Sequence, residues 1–192
     1  MRLFVAAEIG ETLCAQAMLL IRDLQHRVAE TAPRAKITWL TSERLHLTIR
    51  FIGEVADEQG ASVCSALEPT LSISAFDLSL SGLGTFPKSG APRVLWMGIE
   101  RGREKLVEAE REVGDRLAQI GLPAAERRFD PHLTLARIRD AAGLGAGPLF
   151  SGLEPQLGVT RIDAITLFRS ELSPRGPRYT ALLRVALGAR QR

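Results

Sequence analysis

The chain contains three histidines, His26, His46 and His132, and two of them head the same tripeptide: His46-Leu47-Thr48 and His132-Leu133-Thr134. Along a β-strand, residues i and i+2 share a face. Read as strands, both segments present an imidazole and a hydroxyl side by side and turn the leucine to the core. An unperturbed imidazole titrates at about pH 6.5, so one ring can be neutral while another is protonated. The neutral ring can take a proton from an attacking water, and the protonated ring can give one to a departing alkoxide. The threonine hydroxyls can donate to non-bridging phosphate oxygens, where negative charge accumulates. Two such units facing each other suit a cyclic phosphate, which supplies its own strained leaving group and requires no metal or other cofactor. A single histidine–threonine pair is more often just the polar face of a strand. Two copies, using two of only three histidines, carry the reading.

Metal binding is the competing use of histidine. The spacings HxH, HxxxH and HExxH are absent, and with them the usual ligand patterns. Two histidines with one scattered carboxylate stay open as an alternative set. His26 has no motif around it and reads as a surface residue. By simple alternation Arg50 shares the face of His46 and Thr48, which makes it a candidate phosphate partner. Ahead of the second motif, Arg128 could reach a phosphate, and Phe129 could either stack on a base or pack in the core. Tyr179, the only tyrosine, suits a cleft rim or a packed ring.

These residues need elements to position them. Residues 3–9 read as a first strand, and residues 11–30 as a helix, with Leu13, Ala17, Leu20, Ile21 and Leu24 at helical spacing before Pro33,. Residues 37–40 and 45–52 read as strands, the second rich in β-branched and aromatic residues. Residues 57–71 read as a second helix. Residues 76–83 alternate as a half-buried strand, and the glycines and prolines of 82–92 mark a loop. Residues 93–99 read as a strand, and 104–120 as a third helix closed by Gly121. Residues 132–138, 160–168 and 179–187 read as further strands. Residues 140–151 form a glycine-rich loop, and Ser173–Pro177 make a turn. Several strands follow one another without a helix, which predicts an α+β protein with mainly antiparallel sheets. A strand–helix–strand unit ending in HLTI recurs as one ending in HLTL. Two such lobes facing each other would bring the two motifs together.

The composition agrees. The 192 residues are 45% hydrophobic and 24% charged, enough for one domain of two packed lobes with a true core. No apolar run reaches bilayer length, and the opening segment lacks the layout of a leader peptide, so a cytoplasmic monomer is the expectation. Cys14 and Cys64 stand alone and read as buried thiols. The net charge of +3 and the bias of 22 Arg over 3 Lys suit an anionic partner, although base composition alone can produce such a bias.

With these residues in place, the chain resembles the bacterial and archaeal RNA 2′,3′-cyclic phosphodiesterases, the LigT-type 2′-5′ RNA ligases of the two-histidine phosphoesterase superfamily. The resemblance runs through MRLFVAAEI, LHLTIRFIGEV, GLGTFP with PRVLWMGI, RRFDPHLTLAR and LSPRGPRYTALL. It implies a bilobal fold in which two antiparallel sheets form a cleft with helices outside. It also implies metal-free hydrolysis of RNA ends bearing a 2′,3′-cyclic phosphate to a 2′-phosphomonoester. His46 would then be the proton donor to the leaving 3′ oxygen, His132 the base that activates water, and Thr48 and Thr134 the holders of phosphate oxygens. Arg128, Phe129 and Tyr179 match positions near the family's cleft. Three rival functions stand beside this one: ATP-independent 2′-5′ RNA ligation by the same two histidines, with a 5′ hydroxyl replacing water; RNA or nucleotide binding without catalysis, against which two titrating imidazoles argue; and hydrolysis of a small cyclic nucleotide or an ADP-ribose cyclic phosphate.

Overall fold

The computed structural model describes residues 1–125, 128–145, 149–173 and 176–188. The chain runs β1 (Arg2–Glu8), α1 (Glu11–Thr31), β2 (Lys36–Trp39), a 3₁₀ turn (Ser42–Arg44), β3 (His46–Glu54), α2 (Asp57–Leu67), β4 (Leu71–Ser74) and β5 (Phe76–Phe86). It continues β6 (Val94–Arg101), α3 (Arg103–Gln119), β7 (Leu133–Asp140), β8 (Gln156–Ile162), β9 (Ala164–Glu171) and β10 (Arg178–Gly188). Two five-stranded sheets result, ordered β3-β1-β9-β10-β4 and β2-β7-β6-β5-β8. Every pairing is antiparallel except β10 with β4, so the α+β expectation holds.

The helices bury the stripe that their spacing demands: Leu13, Ala17, Leu20, Ile21, Leu24 and Val28 of α1, and Leu106, Ala109, Val113 and Leu117 of α3. Each packs beside an outer strand of a sheet. α1 lies between β1 and β2 in sequence and beside β8, the far edge of the sheet that β2 borders, where Gln16 Oε1 accepts the Gly158 N–H at 2.9 Å. α3 lies between β6 and β7 in sequence but beside β4, where Glu112 accepts the Ser72 N–H at 3.1 Å. An open strand edge is a template for aggregation, and the two helices lie against the edges at β8 and β4. A core shared by both sheets and all three helices ties the lobes together.

Three expectations are corrected. The second helix stops at Leu67 rather than 71, because Pro69 has no N–H to continue the helical ladder, and Leu71 and Ile73 are buried as alternate residues of β4. The strand expected at 160–168 is two strands. The chain leaves one sheet at Ile162 and enters the other at Ala164, and both halves have the same β-like composition. β5 runs to Phe86, through glycines that suggested a loop. Gly84 is there for packing: a Cβ at that position would sit 2.2 Å from Trp96 Cζ2. Among the described residues, no helix is long and apolar enough to cross a membrane. Pro174 and Arg175 of the expected 173–177 turn, and 146–148 of the expected loop, lie outside the described residues.

Candidate active site

Both HLT segments open a strand next to the junction of the lobes, where β3 and β7 run against each other. In β3, Leu47 and Ile49 are buried in the core, while Thr48 is exposed on the opposite side with His46. A register shift follows: Ala6 pairs with Thr48 but Val5 with Arg50, leaving Ile49 as an extra residue. Such a bulge inverts the alternation beyond it. Arg50 therefore does not share the His46 face. It is 7% exposed, bonds Glu110 at 2.8 Å and donates to the Pro123 carbonyl at 2.8 Å. Its candidacy as a phosphate partner is corrected: a buried ion pair occupies it.

β7 repeats this register. Met97 pairs with Leu133 as Ala7 does with Leu47, Trp96 with Thr134 as Ala6 with Thr48, and Leu95 with Ala136 as Val5 with Arg50. Leu135 is the extra residue, both it and Ala136 are buried, and Arg137 emerges exposed on the His132 and Thr134 side. Simple alternation would have put Arg137 in the core. Aligning HLTIRF with HLTLAR shows the signal that was available: Arg137 corresponds to Phe51, also exposed, under the Arg2 guanidinium at 4.9 Å. The lobes therefore differ at this point, with a cation in one and a ring in the other.

Each imidazole is tied to the backbone two residues upstream. His132 Nδ1 lies 2.7 Å from the Asp130 carbonyl oxygen, and a backbone hydrogen bond to Arg44 holds His46. A ring that donates Nδ1–H to a carbonyl leaves Nε2 for the substrate. Arg103 braces the Asp130 segment with an ion pair to the Asp130 carboxylate at 2.6 Å. Aromatic rings pack round both histidines. Phe4 lies 5.1 Å from His46 and Tyr179 stands edge-on to it at 5.3 Å; Phe86 stands edge-on to His132 at 5.0 Å, with Trp96 at 6.1 Å.

Burial in these rings favours the neutral imidazole. It pushes His46 down to about 4, against the opposing pull of the Arg44 backbone. Burial likewise lowers His132, opposed by the Asp130 carbonyl and carboxylate. The Arg137 charge lowers both rings further, so this one guanidinium lies in electrostatic reach of both. The arrangement offers two imidazoles and two hydroxyls on neighbouring strands, with one cation in electrostatic reach of both rings. That set can hold an anion and pass protons on either side of it.

The remaining candidates fall less centrally. Tyr179 is half-buried beside His46 and Phe4. Arg128 is exposed, and Phe129 is half-buried against the hydrophobic core. His26 is exposed on α1, and Cys14 and Cys64 are free thiols. Among the described residues no three His, Cys, Asp or Glu side chains converge as a metal-ligand set.

Known proteins resemble this one over most of its length. The model of the 2′-5′ RNA ligase superfamily matches residues 16–173. An RNA 2′,3′-cyclic phosphodiesterase of Aeropyrum pernix is 34% identical over 164 residues, covering 84% of this chain and 92% of that protein. A crystal structure of a Thermus thermophilus protein superposes with a TM-score of 0.80 at 26% identity and complete coverage of both chains. Escherichia coli LigT in complex with 3′-AMP superposes with a TM-score of 0.73 at 28% identity, covering 97% of each chain.

Proposed function

Because the chain belongs to the 2′-5′ RNA ligase superfamily, we propose that it is an RNA 2′,3′-cyclic phosphodiesterase whose chemistry is carried by His46 and His132. One observation supports this above the rest: two imidazoles, each aimed by a backbone bond two residues upstream, share the field of Arg137. In this reading the cyclic phosphate enters as an anion. Arg137, Thr48 and Thr134 hold its non-bridging oxygens. His132 Nε2 takes a proton from water as the water oxygen bonds to phosphorus. The bond from phosphorus to O3′ breaks, and His46 Nε2 gives O3′ its proton, leaving a 2′-phosphomonoester. The bound anion raises both imidazole pKa values, which favours protonated His46 further once substrate is in place. A 5′ hydroxyl in the place of water would form a 2′-5′ linkage by the same step, and the far higher concentration of water favours hydrolysis. The direct test is to incubate the protein with an oligoribonucleotide ending in a 2′,3′-cyclic phosphate, in EDTA. A 2′-phosphate product is expected; a 3′-phosphate, or activity that returns only with added metal, would sink the mechanism.

The pH dependence follows with a definite sign. kcat/KM reports the free enzyme, in which one imidazole must be protonated and the other neutral. Below both pKa values no base remains, and above both no acid remains. Because both rings are depressed, His46 to about 4, the maximum of kcat/KM lies on the acid side of the ordinary histidine value. kcat, which reports the bound complex, peaks at higher pH. Arg137→Gln removes a charge that lowers both rings, so both limbs of kcat/KM move up in pH while its maximum falls by about 10²–10³. Limbs that stay in place would remove Arg137 from the site.

A further inference from the structure

The cleft side of the second sheet carries more positive charge than one phosphate needs. Beyond the bulge at Leu135, Arg137 turns to this side, and a second irregularity pairs Ile37 with Ile138 but Lys36 with Asp140, leaving Arg139 as an extra residue. Ile138 is buried, and Arg139 is exposed. On β2, Thr38 pairs directly with Arg137, and Lys36 shares its face two residues away,. The row therefore reads His132, Thr134, Arg137, Arg139, with Lys36 alongside. β2 is the outer strand of its sheet, so the row runs from the histidines to an open edge.

Elsewhere on the surface some arginines are neutralised locally: Arg103 meets Asp130, Arg161 meets Asp77 and Arg184 meets Asp163. Others, such as Arg22, Arg34 and Arg111, stand alone among the described residues on helix or loop surfaces; Arg139 and Lys36 are set apart by lying on the histidine-bearing face. Among the described residues, Arg139 and Lys36 make no hydrogen bond or ion pair, and Asp140, the carboxylate in register with them, accepts the Ala142 N–H at 3.1 Å. Exposed like charges gathered without partners repel one another, and a polyanion relieves that repulsion. Side chains on one strand face recur about every 7 Å, so a chain of phosphates with its last member between the histidines meets Arg139 and Lys36 next.

We propose that Arg139 and Lys36 form a docking track for the backbone phosphates of single-stranded RNA whose 3′ end lies in the cleft, so that the preferred substrate is a polynucleotide end rather than a free cyclic mononucleotide. This rests on the reading of the cleft as a cyclic-phosphate site. The test uses the full chain, wild type and K36Q/R139Q. Binding of a short fluorescein-labelled RNA ending in a 2′-phosphate, which is not turned over, is measured across a range of KCl concentrations. Turnover of a 2′,3′-cyclic mononucleotide is measured in parallel. Each lost phosphate contact lowers the salt slope of log K by about 0.7 for single strands, so the double variant loses about 1.4 and binds roughly tenfold more weakly, with mononucleotide turnover kept within about twofold. The loss is uniform across RNA sequences. An unchanged slope and affinity would overturn the track, as would an equal loss of mononucleotide turnover. A wild-type protein that binds RNA with the expected slope yet opens no cyclic phosphate would overturn the catalytic reading and leave the track standing.

Discussion

Alanine at His46 or at His132 lowers kcat for cyclic-phosphate opening by about 10²–10⁴, the usual worth of a positioned acid or base. The two losses do not add, because either single change already breaks the proton relay. Neither change should unfold the chain. Both rings sit on the cleft side, outside the shared core that the leucines of the same motifs enter. Both are also held neutral by burial, so no charge is left without a partner. Far-UV circular dichroism and a thermal melt close to wild type, alongside lost turnover, are the expected pair of results. Near-normal turnover in either variant would remove that histidine from the chemistry. Lost turnover with a collapsed melt would mean that it had been a structural residue.

Arg50→Ala has the opposite signature. The guanidinium is buried beside Glu110 and the Pro123 carbonyl, and removing one partner of a buried pair costs about 3–5 kcal/mol because the other is left uncompensated. For a chain of this size the midpoint of thermal unfolding falls on the order of 10 °C. The double variant R50M/E110M regains much of that loss, since an apolar pair leaves no buried charge unpaired. At temperatures where the single variant is folded, its KM for a cyclic phosphate matches that of wild type. A raised KM with an unmoved melt would return Arg50 to the phosphate.

The contrast between Arg50 and Arg137 marks the limit of reading strands from sequence. Alternation put Arg50 with the histidines, and a single extra residue, Ile49, took it away. The equivalent extra residue, Leu135, delivered Arg137 to the other histidine. A bulge leaves little trace in composition, because the inserted residue is as apolar and β-prone as its neighbours. The same reason hides the change of sheet at Asp163, where both flanking segments are ordinary strands. Sequence marks where chain is extended, but the partner of each extended segment is a non-local matter.

What the sequence determined by itself is the chemistry and its local presentation. Two HxT segments, each in a strand with its leucine in the core, follow from residue type and period alone. So do the buried stripes of α1 and α3 and the mainly antiparallel α+β class. Tertiary structure decided which atoms share a site. It brought β3 against β7, set Arg137 within reach of both rings, and placed Phe4, Tyr179, Phe86 and Trp96 around the histidines from strands far off in sequence. The physical reason is that desolvation and charge–charge fields depend on everything within a few ångströms, whatever its position in the chain. An imidazole near 6.5 in the isolated motif becomes one near 4 only when a fold closes over it.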